Sequence, residues 1–90
     1  MEISEKLIVI TGGGAGIGAA LAMGMANAGA RHVIVTDINF ENAQKVANQI
    51  NGSAASVDVS KEDEILELVQ SVEDKHGPID IFCSNAGYVT

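Results

Sequence analysis

An all-apolar run, Leu7-Ile8-Val9-Ile10, leads directly into Thr11-Gly12-Gly13-Gly14-Ala15-Gly16-Ile17-Gly18. A buried strand that enters a glycine-rich turn and opens a helix has few structural solutions. Glycine lets the turn tighten, lets the backbone approach a ligand, and lets helix and strand pack closely. The helix start then presents unpaired N–H groups and a partial positive charge, the arrangement that receives the phosphates of a dinucleotide.

The rest of the chain alternates in the same way. Gly16 to about Ala28 reads as an alanine-rich helix with Ile17, Leu21 and Met25 as its buried stripe, ended by Gly29. Gly24 inside it weakens the helix relative to alanine, and a close backbone contact is one thing that would explain it. His32–Thr36 is a second strand. Phe40, Ala43, Val46, Ala47 and Ile50 hold helical spacing before Asn51-Gly52, and Ala54–Val57 is a weak third strand. Ser60, with Asp63 three residues on, is placed to cap the next helix, whose stripe is Ile65, Leu68, Val69 and Val72. Leu66 lies off that stripe and reads as a partly covered surface residue. His76-Gly77-Pro78 ends the helix, and Ile79–Ser84 forms a fourth strand.

Four strands with three intervening helices at this spacing predict an α/β fold, a Rossmann-type doubly wound parallel sheet with right-handed crossovers. The 90 residues are expected to form one domain, with the fourth strand beside the first.

Charge and composition narrow the partners. Twelve acidic against five basic residues give a formal net charge of −7, unsuited to nucleic acid or an anionic membrane. No stretch reaches the roughly 18 apolar residues of a membrane span, and the amino end does not read as a signal peptide. With one cysteine, Cys83, expected as a buried core thiol, the default is a cytoplasmic setting. His32 and His76 read as isolated surface or capping residues, so no metal site is expected.

Asp37 follows the second strand, about 20 residues beyond Gly18. In a dinucleotide fold a carboxylate there accepts hydrogen bonds from the adenosine ribose, and it repels a 2′-phosphate. No Arg or Lys among residues 12–18 or 38–40 offsets that charge, which favours NAD over NADP. Asp58-Val59 follows the third strand, where the acid can accept from the adenine amino group and Val59 can pack near the ring. Gly14 and Ile38 complete the expected contacts on the glycine loop and beside Asp37.

These residues resemble the short-chain dehydrogenase/reductase family. Its Thr-Gly-x-x-x-Gly-x-Gly motif is matched at Thr11, Gly12, Gly16 and Gly18, its adenine-side acid at Asp58-Val59, and its Asn-Ala-Gly at Asn85, Ala86 and Gly87. His76-Gly77-Pro78-Ile79-Asp80-Ile81 is the kind of segment that leads into the last of these. The resemblance implies that Ile17 donates its backbone N–H to the pyrophosphate and that Thr11 braces the glycine turn. It also implies that Asn85 and Gly87 border the cofactor and help fix the central sheet.

By the same resemblance the function is hydride transfer between an alcohol or carbonyl substrate and NAD, in a protein that is homo-oligomeric at full length. The family's Tyr-x-x-x-Lys pair and catalytic Ser have no counterparts here, since Tyr88 is the only tyrosine and Lys75 the last lysine. The chain is therefore expected to carry the cofactor half of a truncated fold, with no catalytic residues and no activity alone. The alternative is a non-catalytic nucleotide-binding or subunit-interaction module. Sugar-nucleotide epimerisation is disfavoured, because the extended relatives that perform it space their glycines as Gly-x-x-Gly-x-x-Gly.

Overall fold

In a computed structural model, described over residues 3–85, the chain forms β1 (Leu7–Ile10), α1 (Gly16–Asn27), β2 (His32–Asp37), α2 (Phe40–Ile50), β3 (Ser53–Ser56), α3 (Glu62–His76) and β4 (Ile81–Cys83). The strands make one parallel sheet in the order β3-β2-β1-β4. This is the expected α/β doubly wound arrangement. The chain steps outward from β1 to β3 and then crosses back to place β4 on the other side of β1.

Alternation along each strand divides the core in two. Ile8, Ile10, Val33 and Val35 point to the face covered by Ala22 of α1 and by Ala43, Val46 and Ala47 of α2. Leu7, Val9 and Ile34 point to the opposite face, where Leu68 and Val72 of α3 cover them with Val57. All four residues of β1 are fully buried, as a central parallel strand requires.

Three helix details differ from the sequence reading. Of the stripe Ile17, Leu21 and Met25, only Met25 packs against the core, while Ile17 and Leu21 are exposed. Gly18 and Ala22 are the buried residues of α1, while Ile17 is 74% exposed. Two polypeptide backbones approach most closely over the smallest side chains, so α1 turns its glycine–alanine face inward. Its larger side chains line an apolar groove of about 420 Å³ with Ile3. A Cβ on Gly24 would meet nothing within 4 Å, so no close contact accounts for that glycine. Ser60 does not cap α3. The N-cap position is Lys61, and the Ser60 hydroxyl donates to Asp58 instead.

Helix ends otherwise follow the local chemistry. Asn39 accepts the Asn42 N–H at the start of α2, and Asn51 closes that helix in the left-handed conformation. Gly77, at φ +94°, ends α3. Leu66 is 62% exposed, in keeping with its place off the α3 stripe.

The edge strands differ from the expected bounds, β3 by a shift of one residue and β4 by shortening. β3 begins at Ser53 and stops before Val57, and β4 keeps only three residues, because Asp80 turns its backbone and side chain onto Leu7. Cys83 is only partly buried, being on that edge strand at the margin of the core. The two histidines are not isolated. Their rings stack with centroids 4.6 Å apart, and His32 Nε2 lies 2.7 Å from Ser53 Oγ.

Candidate cofactor site

A cleft of about 790 Å³ opens where the carboxyl ends of all four strands converge. One wall is the β1–α1 loop, with Gly12, Ala15, Gly16 and Ile17. The loops after β2 and β3 supply Asp37, Ile38, Asp58, Val59 and Ser60, and Asn85 closes the side beyond β4. The crevice thus lies where strand order reverses between β1 and β4, the place where open α/β sheets bind ligands.

The glycine loop crosses itself at close quarters. Gly12 has φ +64°, and a Cβ on Gly18 would fall on the Gly12 carbonyl. The first turn of α1 is therefore pressed against the loop that precedes it, and only glycine at 18 permits the approach. The loop is held from both sides. Gly13 N–H donates to the Thr36 carbonyl at 2.8 Å, and the buried Thr36 hydroxyl donates to the Ile10 carbonyl at 3.0 Å. Thr11 Oγ1 donates to the Cys83 carbonyl at 3.4 Å and accepts the Asn85 N–H at 2.9 Å.

Helix α1 differs from the other two at its amino end. Ala15 offers no capping side chain, and no acid occupies the first turn. By contrast α2 carries Asn39 and Glu41 there, and α3 carries Glu62, Asp63 and Glu64. The first N–H groups of a helix have no partner within it. At α1 they face the cleft uncompensated, a fit to an anionic phosphate group.

Charge on the cleft walls is acidic alone among the described residues, from Asp37 and Asp58. Asp37 Oδ2 accepts the Gly14 N–H and Oδ1 accepts the Asn39 N–H, each at 3.0 Å. Each oxygen retains accepting capacity for a further donor. Two hydrogen bonds from Ser60, side chain and backbone, pull the Asp58 carboxyl below its ordinary value, with Lys61 adding to the effect. Glu64 reaches back to the Asp58 N–H at 2.9 Å and fixes the loop.

The structure thus brings together Gly12, Gly16, Ile17, Asp37, Ile38, Asp58, Val59 and Asn85 at one cleft, while Thr11, fully buried, and Gly18, packed on the Gly12 carbonyl, stand behind its wall. Gly14 does not line the cleft either. It is turned from the cleft toward Asp37 and the start of α2. Ala86 and Gly87 lie outside the described residues. Ser60 was missed by the sequence reading, although an Asp followed two residues later by Ser is a known local turn pattern. Among the described residues no three His, Cys, Asp or Glu side chains gather to hold a metal ion.

Rossmann topology and a glycine-lined crevice at the switch point define the class of domain. The short chain dehydrogenase family model matches residues 6–90. The chain belongs to that family. It is 41% identical to the uncharacterized oxidoreductase YuxG of Bacillus subtilis, over 99% of this chain and 14% of that protein. It is also 41% identical to tropinone reductase-like 2 of Erythroxylum coca, over 98% of this chain and 32% of that protein.

Among solved structures, the hydroxysteroid dehydrogenase of Escherichia coli superposes with a TM-score of 0.84 at 38% identity, over 97% of this chain and 39% of that one. A Brucella melitensis protein described as a ribose-5-phosphate isomerase gives 0.91 at 31% identity, over 99% and 34%. A Haemophilus influenza protein assigned as a D-mannonate oxidoreductase, solved with NAD bound, gives 0.77 at 36%, over 88% and 30%. The chain thus spans a third or less of the two curated relatives named here.

Proposed function

We propose that residues 1–90 form the NAD-binding unit of an oxidoreductase that moves hydride between an alcohol or carbonyl compound and the cofactor. The observation that carries this reading is the Asp37 carboxylate at the cleft, held by two backbone N–H groups with no cation on the cleft walls among the described residues. A free ribose diol donates to such a carboxylate, whereas a 2′-phosphate meets its charge. The NAD found in the Haemophilus influenza relative supports the same cofactor class.

In this reading the α1 amino end, with the Ile17 N–H, receives the pyrophosphate, and Gly12, Gly16 and Gly18 keep the backbone clear for it. Asp37 and Ile38 hold the adenosine ribose, and Asp58 and Val59 hold the adenine. Asn85, with Ala86 and Gly87, borders the cofactor on the far side of β1. When bound, the nicotinamide supplies the hydride acceptor or donor. The acid/base groups and the substrate pocket belong to sequence beyond this unit. The reading includes a cytoplasmic setting, supported by the single free thiol Cys83, and a homo-oligomer at full length.

Calorimetric titration with NAD and NADP tests the assignment. NAD is expected to bind more tightly, and Asp37→Ser with Ile38→Arg is expected to reverse the preference. Equal affinities in the wild type, or an unaltered preference in the double variant, would sink it.

A further inference from the structure

Gly14 sits on the glycine loop but does not line the cleft. Its N–H donates to Asp37 Oδ2 at 3.0 Å. A Cβ built there would stand 2.8 Å from that same oxygen, 2.7 Å from Asn42 Cβ and 3.0 Å from the Ala43 nitrogen. The last two atoms belong to the first turn of α2 and cannot rotate away. Any side chain at 14 must therefore push the loop off α2, the Asp37 carboxylate off the loop, or both.

We infer that Gly14 is a positioning residue for cofactor choice: it seats the Asp37 carboxylate, and so sets discrimination between NAD and NADP without touching either. The inference rests on the NAD-binding reading and deepens it. Asp37 is fixed at its two oxygens by N–H groups from different segments, Gly14 on the loop after β1 and Asn39 on the loop after β2. The bond from Asn39 is local and survives any movement of α1. The bond from Gly14 spans two loops and is the one that fixes where the carboxylate stands relative to the phosphate-binding turn. A hydrogen bond to a charged group carries enough free energy for its loss to change binding measurably.

The test is a double-mutant cycle on the protein, with Gly14→Ala, Asp37→Ala and the pair, read as the ratio of NAD to NADP affinity. Gly14→Ala is expected to lower NAD affinity about tenfold and to shrink the ratio. In the Asp37→Ala background it is expected to leave the ratio unchanged, because the carboxylate through which it acts is gone. A wild-type ratio preserved in Gly14→Ala, or an equal loss of NAD affinity in both backgrounds, overturns the inference. Failure of the wild type to bind NAD would instead overturn the reading beneath it.

Should Gly14→Ala not fold, hydrogen exchange at the Gly14 amide decides the matter. Protection is expected in the wild type, lost in Asp37→Ala and restored in Asp37→Asn, whose carbonyl oxygen still accepts. Protection unchanged in Asp37→Ala would show that the carboxylate is not held there.

Discussion

The Asn85 N–H donates to Thr11 Oγ1 at 2.9 Å, tying the loop after β4 to the loop after β1. The two residues are far apart in sequence and follow adjacent strands, Asn85 on the cleft wall and Thr11 behind it. Thr11 is fully buried, and its hydroxyl also donates across to the Cys83 carbonyl. One side chain therefore sets the spacing between the glycine turn and the far wall.

Thr11→Val keeps the shape and removes the acceptor. The Asn85 N–H is then left without its partner, at a cost of about 1–3 kcal/mol. Denaturant unfolding should show that loss, together with weaker NAD binding. Thr11→Ser, which keeps the hydroxyl, should lose less on both counts. Equal stability of the Val and Ser variants would show that the hydroxyl is not the link.

Gly18→Ala should abolish NAD binding and cost about 1–3 kcal/mol, because the added methyl falls on the Gly12 carbonyl, which is backbone and cannot rotate away. Circular dichroism with titration separates the two effects. Retained affinity would show that the crossing of loop and helix is looser than the geometry states.

Gly24→Ala should do the opposite. A Cβ there meets nothing within 4 Å, and Gly24 lies within α1 with no positive φ. Stability should rise by about 0.5–1 kcal/mol from the smaller entropy loss of alanine. A thermal melt checks it, and a fall in Tm would reveal a contact that the fold does not show.

The stacked histidines predict acid sensitivity. Burial, then the neighbouring His76 and Arg31, hold the His32 imidazole below the ordinary histidine range. The groups found against it are the His76 ring, the Ser53 hydroxyl and Arg31. A lowered histidine pKa means that the unfolded chain binds the proton more readily. The contribution to stability is thus complete above about pH 6.5 and is lost as pH falls toward the folded value. Urea midpoints should drop between about pH 7 and pH 5, and His32→Gln should flatten that drop. An equal drop in the variant would assign the effect to other groups.

Much of this was readable from the residues. Leu7–Ile10, the glycine turn and Asp37 announced the strand, the crevice and its acid, because each depends on local chemistry. What escaped depended on packing or on topology. Apolar periodicity located α1 but chose its wrong face, since the helix comes closest to the sheet over Gly18 and Ala22, which periodicity weights least. His32 and His76 meet because β2 starts and α3 ends at the same end of the sheet, that of the strands' amino termini, a fact no spacing encodes. Gly14 lay among other glycines, and only the fold separates the glycine that seats Asp37 from those that clear the cleft.

The crossover that places β4 beside β1 also sets what it costs to close the sheet. β1 pairs with β2 from Leu7 to His32, a short loop, whereas β1 meets β4 from Ile8 to Ile81, nearly the length of the chain, through three residue pairs. Each doubling of a closed loop costs about 0.6 kcal/mol in chain entropy. The β4 side of the cleft is thus the least cheaply closed and the most sparsely tethered wall. A ligand spanning both walls would tie the short-range half of the sheet to the long-range one and so offset part of the entropy spent in bringing β4 home.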